Sequence, residues 1–300
     1  MLGAVLCFSI SSSIVKWGEA TGSVIAFWRM VGAIGVWWIV IVVRRASMGV
    51  PPPAPRTWVM VLPSGLLFGA NLAIFFTAVT KTSIAHAEFI GAVSPLLLVP
   101  AGAVLFGEHP NWSALRWGVL SIVGVLIVLA FGPTGGAASL QGDLLVALAV
   151  LLWVVYLLFT KRARAGLSVV DFMACVMPIG LITAGPIALV IAGDEIWPLS
   201  TRAWVTVGIL TVITGVAAHG FIVFAQHSVP VATIGILQSG QPALAVFWGW
   251  LILGEEIRAA QVPGMVLVVV GLALFTLMSQ RRPSALPSVA PTPVLDISDG

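Results

Sequence analysis

Charge is scarce in this sequence. Only 8% of its 300 residues are Asp, Glu, Lys or Arg, where soluble domains carry about 25%. A globular core of this length would need a polar covering that these residues cannot supply. Cysteine is almost absent: Cys7 and Cys175 each sit in an apolar run, with no CxxC pair. That excludes a disulfide framework and argues against a thiolate metal site; both read as small hydrophobes. The four histidines are scattered and form no His-rich, Asp-rich or HExxH cluster, which argues against a membrane-embedded enzyme. The net charge of +3 carries no basic stripe, so nucleic acid is not an expected partner. No metal or cofactor is implied. Tyrosine occurs once, as Tyr156.

Hydrophobic residues are plentiful, at 59% of the chain with a mean hydropathy of +1.10. Lipid is the solvent that covers such a surface. Turn residues and charges divide the chain into ten apolar runs near the ~20 residues a bilayer requires. They cover 1–16, 21–43, 58–79, 83–106, 113–131, 142–160, 170–192, 203–225, 229–253 and 261–279. The first run is short but has no basic segment before it, as a signal peptide would, and reads as a mature helix. The expected fold is therefore an all-α polytopic membrane protein with ten transmembrane helices. Trp17, Trp58, Trp112, Trp197 and Trp204 fall near span ends, where interfacial anchors sit. Trp153 and Trp248 do not. Residues 281–300 are rich in Pro and Ser, lack periodicity and are expected to be a disordered cytoplasmic tail.

Lys and Arg set the orientation. With an even number of spans both termini share one side. That side collects Arg44, Arg45, Arg56, Arg116, Lys161, Arg162, Arg164, Arg281 and Arg282; the other holds Lys16, Arg29, Lys81, Arg202 and Arg258. Most acids, Glu19, Asp143, Asp194, Glu195, Glu255 and Glu256, also fall on the second side. Both termini are therefore expected in the cytoplasm, with the protein in the cytoplasmic (inner) membrane of a bacterium.

The sequence repeats itself. "SIAHAEFIGAVSPLLLVPAGAVLFGE" from Ser83 is echoed by "PVATIGILQSGQPALAVFWGWLILGE" from Pro230, an offset of 147 residues (230 − 83). Pro95 meets Pro242, Gly102 meets Gly249, and Gly107-Glu108 meets Gly254-Glu255. The offset crosses five spans, an odd number, so the two copies must be inverted. Inverted repeats of this kind mark secondary transporters; duplication in a static scaffold is the alternative. The expected units are 1–131 and 132–280. The Gly-Glu pairs read as hairpin devices, the glycine capping one helix and the glutamate accepting from the next.

These segments, together with "FWRMVGAIGVWW" and the span-ending "FFTAVTKT", resemble the drug/metabolite transporter superfamily, EamA type, over residues 1 to about 280. The resemblance implies a five-plus-five-helix transporter of small metabolites, often an exporter, with a central cavity between the halves. It does not extend to a substrate.

Polar residues inside the spans need an explanation, because each ionisable one costs about 2.5–3.5 kcal/mol to insert. Glu88 lies roughly 8 Å below the outer face and Arg29 about 12 Å, at 1.5 Å per residue. Two readings stand: an ion pair tying spans 2 and 4, or a site for proton coupling or substrate charge. His86, two residues before Glu88, points elsewhere. In span 8, His219, Val223 and Gln226 form one stripe; in span 9, Gln238, Gln241 and Pro242 do so near the midplane. Pro95 and Pro242 break their helices at corresponding positions, a pointer to a transport site or a tolerated kink. In span 6, Trp153, Tyr156 and Thr160 make a stripe that either lines a cavity or packs. Asn71 in span 3 needs a partner, and Gly65 with Gly69 forms a GxxxG spacing for close helix approach. In span 1, Ser9, Ser12, Ser13 and Lys16 share a face; Lys16 either snorkels or holds an anionic group.

The candidate pathway is thus Ser12, Lys16, Asn71, Trp153, Tyr156, His219, Gln238 and Gln241. Such a lining suits a small zwitterionic or neutral molecule such as an amino acid. A carrier of phosphorylated solutes would want more buried Arg and Lys. The expected function is export of small organic metabolites by alternating access, with protons as the candidate coupling ion and a monomer or weak dimer as the unit. A non-transporting scaffold or sensor, or a carrier of phosphorylated or drug-like solutes, is the alternative.

Overall fold

With no water in the hydrocarbon to satisfy backbone groups, a chain this apolar must bond its peptide groups internally, and helices are the local solution. The computed structural model describes residues 1–108, 112–131, 139–164, 166–238, 240–254 and 257–280, and the elements among them are helical. The tail at 281–300 and Glu255 lie outside the described residues.

The helices in chain order are α1 (Leu2–Ser9), α2 (Ser11–Trp17), α3 (Gly22–Met48), α4 (Pro55–Val79), α5 (Ile84–Ala92), α6 (Ser94–Phe106) and α7 (Trp112–Ala130). They continue as α8 (Leu140–Ala163), α9 (Val169–Ala192), α10 (Thr201–Leu210), α11 (His219–Ala225), α12 (Val231–Gln238), α13 (Gln241–Leu253) and α14 (Val262–Gln280). A π-helical stretch, Thr211–Ala218, joins α10 to α11. Several boundaries are written in capping residues. The hydroxyls of Ser83, Ser139, Ser168 and Ser200 accept the backbone amides of His86, Gly142, Asp171 and Ala203, each satisfying an orphan donor of the first turn. Gly107 and Gly254 end α6 and α13 with φ of +61° and +69°, a left-handed conformation that a side chain disfavours.

Among the described residues, seven helical segments are long and apolar enough to cross a membrane, and there are shorter apolar segments, Leu2–Trp17, Ser113–Val128 and Ala259–Phe275. Large apolar side chains face outward, Val190 at 86% exposure and Phe224 at 70% among them. A water-facing surface would not tolerate such a belt; acyl chains do. The protein is a multi-pass membrane protein in contact with the lipid bilayer.

Packing pairs elements across the length of the chain. α3 lies on α9, α4 on α8 and α9, α6 on α12, α7 on α14, and α1 on the π-helical stretch. Small residues set the closest approaches, as they do where apolar surface gives no drive for helices to associate in lipid. A Cβ on Gly124 would stand 2.6 Å from the carbonyl oxygen of Gly264, and one on Gly264 would stand 2.5 Å from that of Gly124. The GxxxG pair does the same on α4: a Cβ on Gly69 would collide with the Gly180 carbonyl, and one on Gly65 with Ile179. The main core gathers buried residues from α1 to α4 and α8 to α11, including Phe68, Phe76, Tyr156 and Phe172.

Candidate functional site

Besides the break between α1 and α2 at Ile10, three breaks in otherwise continuous helices surround the middle of the molecule. The first falls at Val93, where α5 stops and α6 begins with Pro95 in its first turn. The second falls between α12 and α13, with Pro242 in the first turn of α13. Proline tolerates a first turn because its missing N–H has no intrahelical acceptor there. The third is the π-helical stretch, a form found often at functional sites. Each break turns a helical face inward, and between them lies a cavity of about 120 Å³.

Of the residues expected from the sequence, Asn71, Trp153, His219, Gln238, Gln241 and Pro242 line this cavity, together with Arg29 and Glu88. Asn71 donates through Nδ2 to the Ala149 carbonyl at 2.6 Å, tying α4 to α8. Trp153 donates through Nε1 to Gln238 Oε1 at 3.4 Å, and its ring meets Phe8 and His219 edge-on, both at 6.1 Å between centroids.

Of the two readings open for Glu88 and Arg29, the ion pair is not made. Glu88 and Arg29 face the same cavity, but each has other partners. Glu88 Oε1 accepts from the Ser12 hydroxyl at 2.6 Å, and Oε2 accepts from Gln241 Nε2 at 3.2 Å. Arg29 donates through Nε to the Leu210 carbonyl at 3.4 Å, sits over the Phe76 ring at 5.5 Å and places Nη2 at 3.3 Å from His219 Nδ1. The reason is angular: matching depths on two helices do not aim two side chains at each other, and α3 directs Arg29 toward the loosened stretch before α11.

Three expected cavity residues stand off the wall. Tyr156 is fully buried behind Trp153, packed on Phe68 at 5.3 Å and Trp153 at 5.2 Å. Ser12 is spent on Glu88. Lys16 sits in the last turn of α2, half-buried and away from the cavity. The break between α1 and α2 explains the serine, because it presents Phe8 and Ser11 inward. Pro95 is buried against α12, where a Cβ on Gly235 would come 3.4 Å from its Cα and 2.8 Å from Leu98 Cδ1; its neighbour Ser94 lines the cavity instead. Phe8, Phe75 and Thr214 were missed because apolar or hydroxyl side chains on apolar helices carry no signal above their surroundings.

Other polar residues hold the frame. Gln226 donates to the Leu157 carbonyl at 3.1 Å, and Trp248 to the Ser9 hydroxyl at 3.0 Å. His86 lies 3.2 Å from Asp143 at the start of α8, outside the cavity. Residues 109–111, where the next helix would start, lie outside the described residues; among those described, Glu108 works across the molecule. It accepts from the amides of Val231 at 3.0 Å and Ala232 at 3.4 Å, and from Lys161 at 2.7 Å, so it caps α12 across the molecule.

A helical membrane frame around a mostly apolar cavity that carries a few polar side chains is the architecture of a solute carrier. The chain belongs to the EamA-like transporter family, whose model matches residues 1–130 and 140–277. It is 27% identical to the threonine/homoserine exporter RhtA of Salmonella typhimurium over 73% of this chain and 71% of that one. An uncharacterized transporter of Clostridium kluyveri is 24% identical over 76% and 74% of the two chains. A solved crystal structure shares the fold at a TM-score of 0.71 and 22% identity, covering 93% of this chain and 96% of its own. Relatives of this family are transporters, not enzymes, and a membrane transporter of this kind has a small-molecule substrate.

Proposed function

We propose that the protein is a secondary transporter that exports amino acids or related small zwitterions across the cytoplasmic membrane by alternating access. The observation that carries the reading is the cavity, whose wall combines Asn71 and Glu88 from the first half of the chain with Trp153, His219 and Gln241 from the second. A site shared between halves opens to one side or the other when the halves rock, which is the geometry alternating access needs. Amino acids are favoured by the likeness to the Salmonella relative, a threonine/homoserine exporter.

On this reading all ten apolar segments cross the membrane, as two inverted five-helix units at 1–131 and 132–280. Two features support the inversion. α7 and α14, which occupy matching places in the two units, meet through the reciprocal Gly124–Gly264 contact. α3 pairs with its counterpart α9, and the two broken helices pair crosswise, α5 with α13 and α6 with α12. The excess of Lys and Arg on one set of loops supports cytoplasmic termini. The cavity wall carries a single cationic side chain, Arg29, which disfavours a polyphosphate cargo.

The test is solute flux into proteoliposomes containing only the purified protein, with the twenty standard amino acids and a wider metabolite panel. Movement of amino acids by protein-containing vesicles, against empty controls, is the expected result. A panel in which nothing moves overturns the reading.

A further inference from the structure

The cavity holds two opposite charges that ignore each other. In the membrane interior a buried charge without a counter-charge is costly, and two opposite charges on one cavity wall would ordinarily cancel by pairing. Arg29 is 1% exposed and Glu88 is 4% exposed, yet the partners that hold them are neutral groups.

The guanidinium is under-served. Its Nη1 has no hydrogen-bond partner among the described residues. Its Nη2 points to His219 Nδ1, but that nitrogen also lies against the Thr214 carbonyl at 2.5 Å. A ring nitrogen that donates to a carbonyl has no lone pair left for an arginine N–H. The shorter contact therefore assigns the Nδ1 proton to Thr214, and the Arg29 contact is not a hydrogen bond. Both terminal nitrogens of Arg29 are left for an acceptor, and a planar pair of N–H donors matches a carboxylate.

Glu88 is the complement. Each oxygen accepts one neutral donor, from Ser12 on α2 and from Gln241 on α13. An acceptor-only carboxylate with two exchangeable partners is the receptor an ammonium group requires. At roughly 10–15 Å³ per water-sized probe, the cavity takes on the order of ten heavy atoms. Phe8, Leu72 and Phe75 supply apolar wall for a short side chain.

We infer that the cavity is a two-pole site, in which Arg29 receives the substrate's carboxylate and Glu88 receives its ammonium. Resting on the transporter reading above, this assigns the recognised class as small solutes that carry both an ammonium and a carboxylate, as amino acids do. It also explains why neither pole has a protein counter-ion: the substrate brings both. When the ammonium arrives it displaces Ser12 and Gln241 from Glu88, releasing α2 and α13 from α5, so occupancy loosens the links between helices around the cavity.

The experiment uses wild-type proteoliposomes. Counterflow of the twenty standard L-amino acids identifies the one moved fastest, and the probes are that amino acid, its methyl ester and its 2-hydroxy acid. The ester lacks the carboxylate charge and the hydroxy acid lacks the ammonium. Both are expected to compete at least tenfold less well than the amino acid. In Arg29→Gln the preference for acid over ester is expected to collapse while that for amine over hydroxyl survives; Glu88→Gln is expected to show the reverse. A role confined to folding would depress all three probes together. If amino acids move but wild type accepts either analogue as well as the parent, the two-pole site is wrong and the transporter reading stands. If no amino acid moves, both fall. The wild-type comparison decides the matter even where a variant does not fold; Arg29→Lys and Glu88→Asp, which keep the charges, are expected to keep both preferences.

Discussion

Glu108 reaches the backbone amide of Val231 at 3.0 Å, 123 residues along the chain, while holding Lys161 at 2.7 Å. One carboxylate thus ties the end of α6 to the start of α12 and the end of α8. It complements both the orphan amides and the positive end of the α12 dipole.

Glu108→Ala should remove the cap and leave Lys161, whose side chain is 22% exposed, without its anion. A buried cap of this kind is worth about 1–2 kcal/mol. The melting temperature in detergent is expected to fall by several degrees, and Glu108→Gln, which keeps an acceptor, should fall less. Equal melting of all three proteins would remove the cap's importance.

The α7–α14 contact predicts a steric contrast. Gly124→Val places atoms where the Gly264 carbonyl already lies, and overpacking of this order costs about 1–3 kcal/mol or more. The variant is expected to give a low yield and a broadened size-exclusion peak. Gly208→Ala, where an added Cβ meets nothing within 4 Å, should behave as wild type.

Trp153→Phe keeps an aromatic wall but loses the bond to Gln238. A hydrogen bond contributes about 1 kcal/mol net to stability, so the melting temperature is expected to fall slightly, while the apparent substrate affinity weakens because Gln238 is no longer held in the cavity wall. Trp153→Ala should lose more, because the edge contacts to Phe8 and His219 go with it. Unaltered transport by both variants would place the substrate elsewhere.

The proposed orientation puts Ser47, at the end of α3, in the cytoplasm, and Asp194, after α9, outside. In a background with Cys7 and Cys175 replaced by Ala, Ser47→Cys should resist a membrane-impermeant maleimide in intact cells and Asp194→Cys should react. Both residues are exposed. The opposite pattern inverts the topology, and labelling of both from outside breaks it.

Helix positions were legible because hydrophobicity, serine caps and Gly terminators are local signals: the apolar run read as 83–106 appears as α5 and α6, ending at Gly107. The cavity residues were legible where a polar group had no other reason to sit in lipid, as with Asn71, His219 and Gln241. Direction around a helix was not. The break between α1 and α2 turned Ser11 rather than Ser12 inward, and a break leaves no mark in a run of serines. The Arg29–Glu88 pairing failed for a similar reason, since depth is readable from residue count and azimuth depends on packing. The bonds from Glu108 to the Val231 and Ala232 amides were not legible, because nothing in a sequence marks that α6 and α12, 123 residues apart at that contact, lie side by side.

Gly235, the counterpart of Glu88 at the repeat offset, is packed against Leu98, whose Cδ1 would stand 2.8 Å from an added Cβ and would have to move. The matching place holds no second carboxylate. Whatever symmetry the backbone inherited, its electrical charge is lopsided. On the proposed rocking of the two halves, the Glu88 carboxylate would travel with the first half alone.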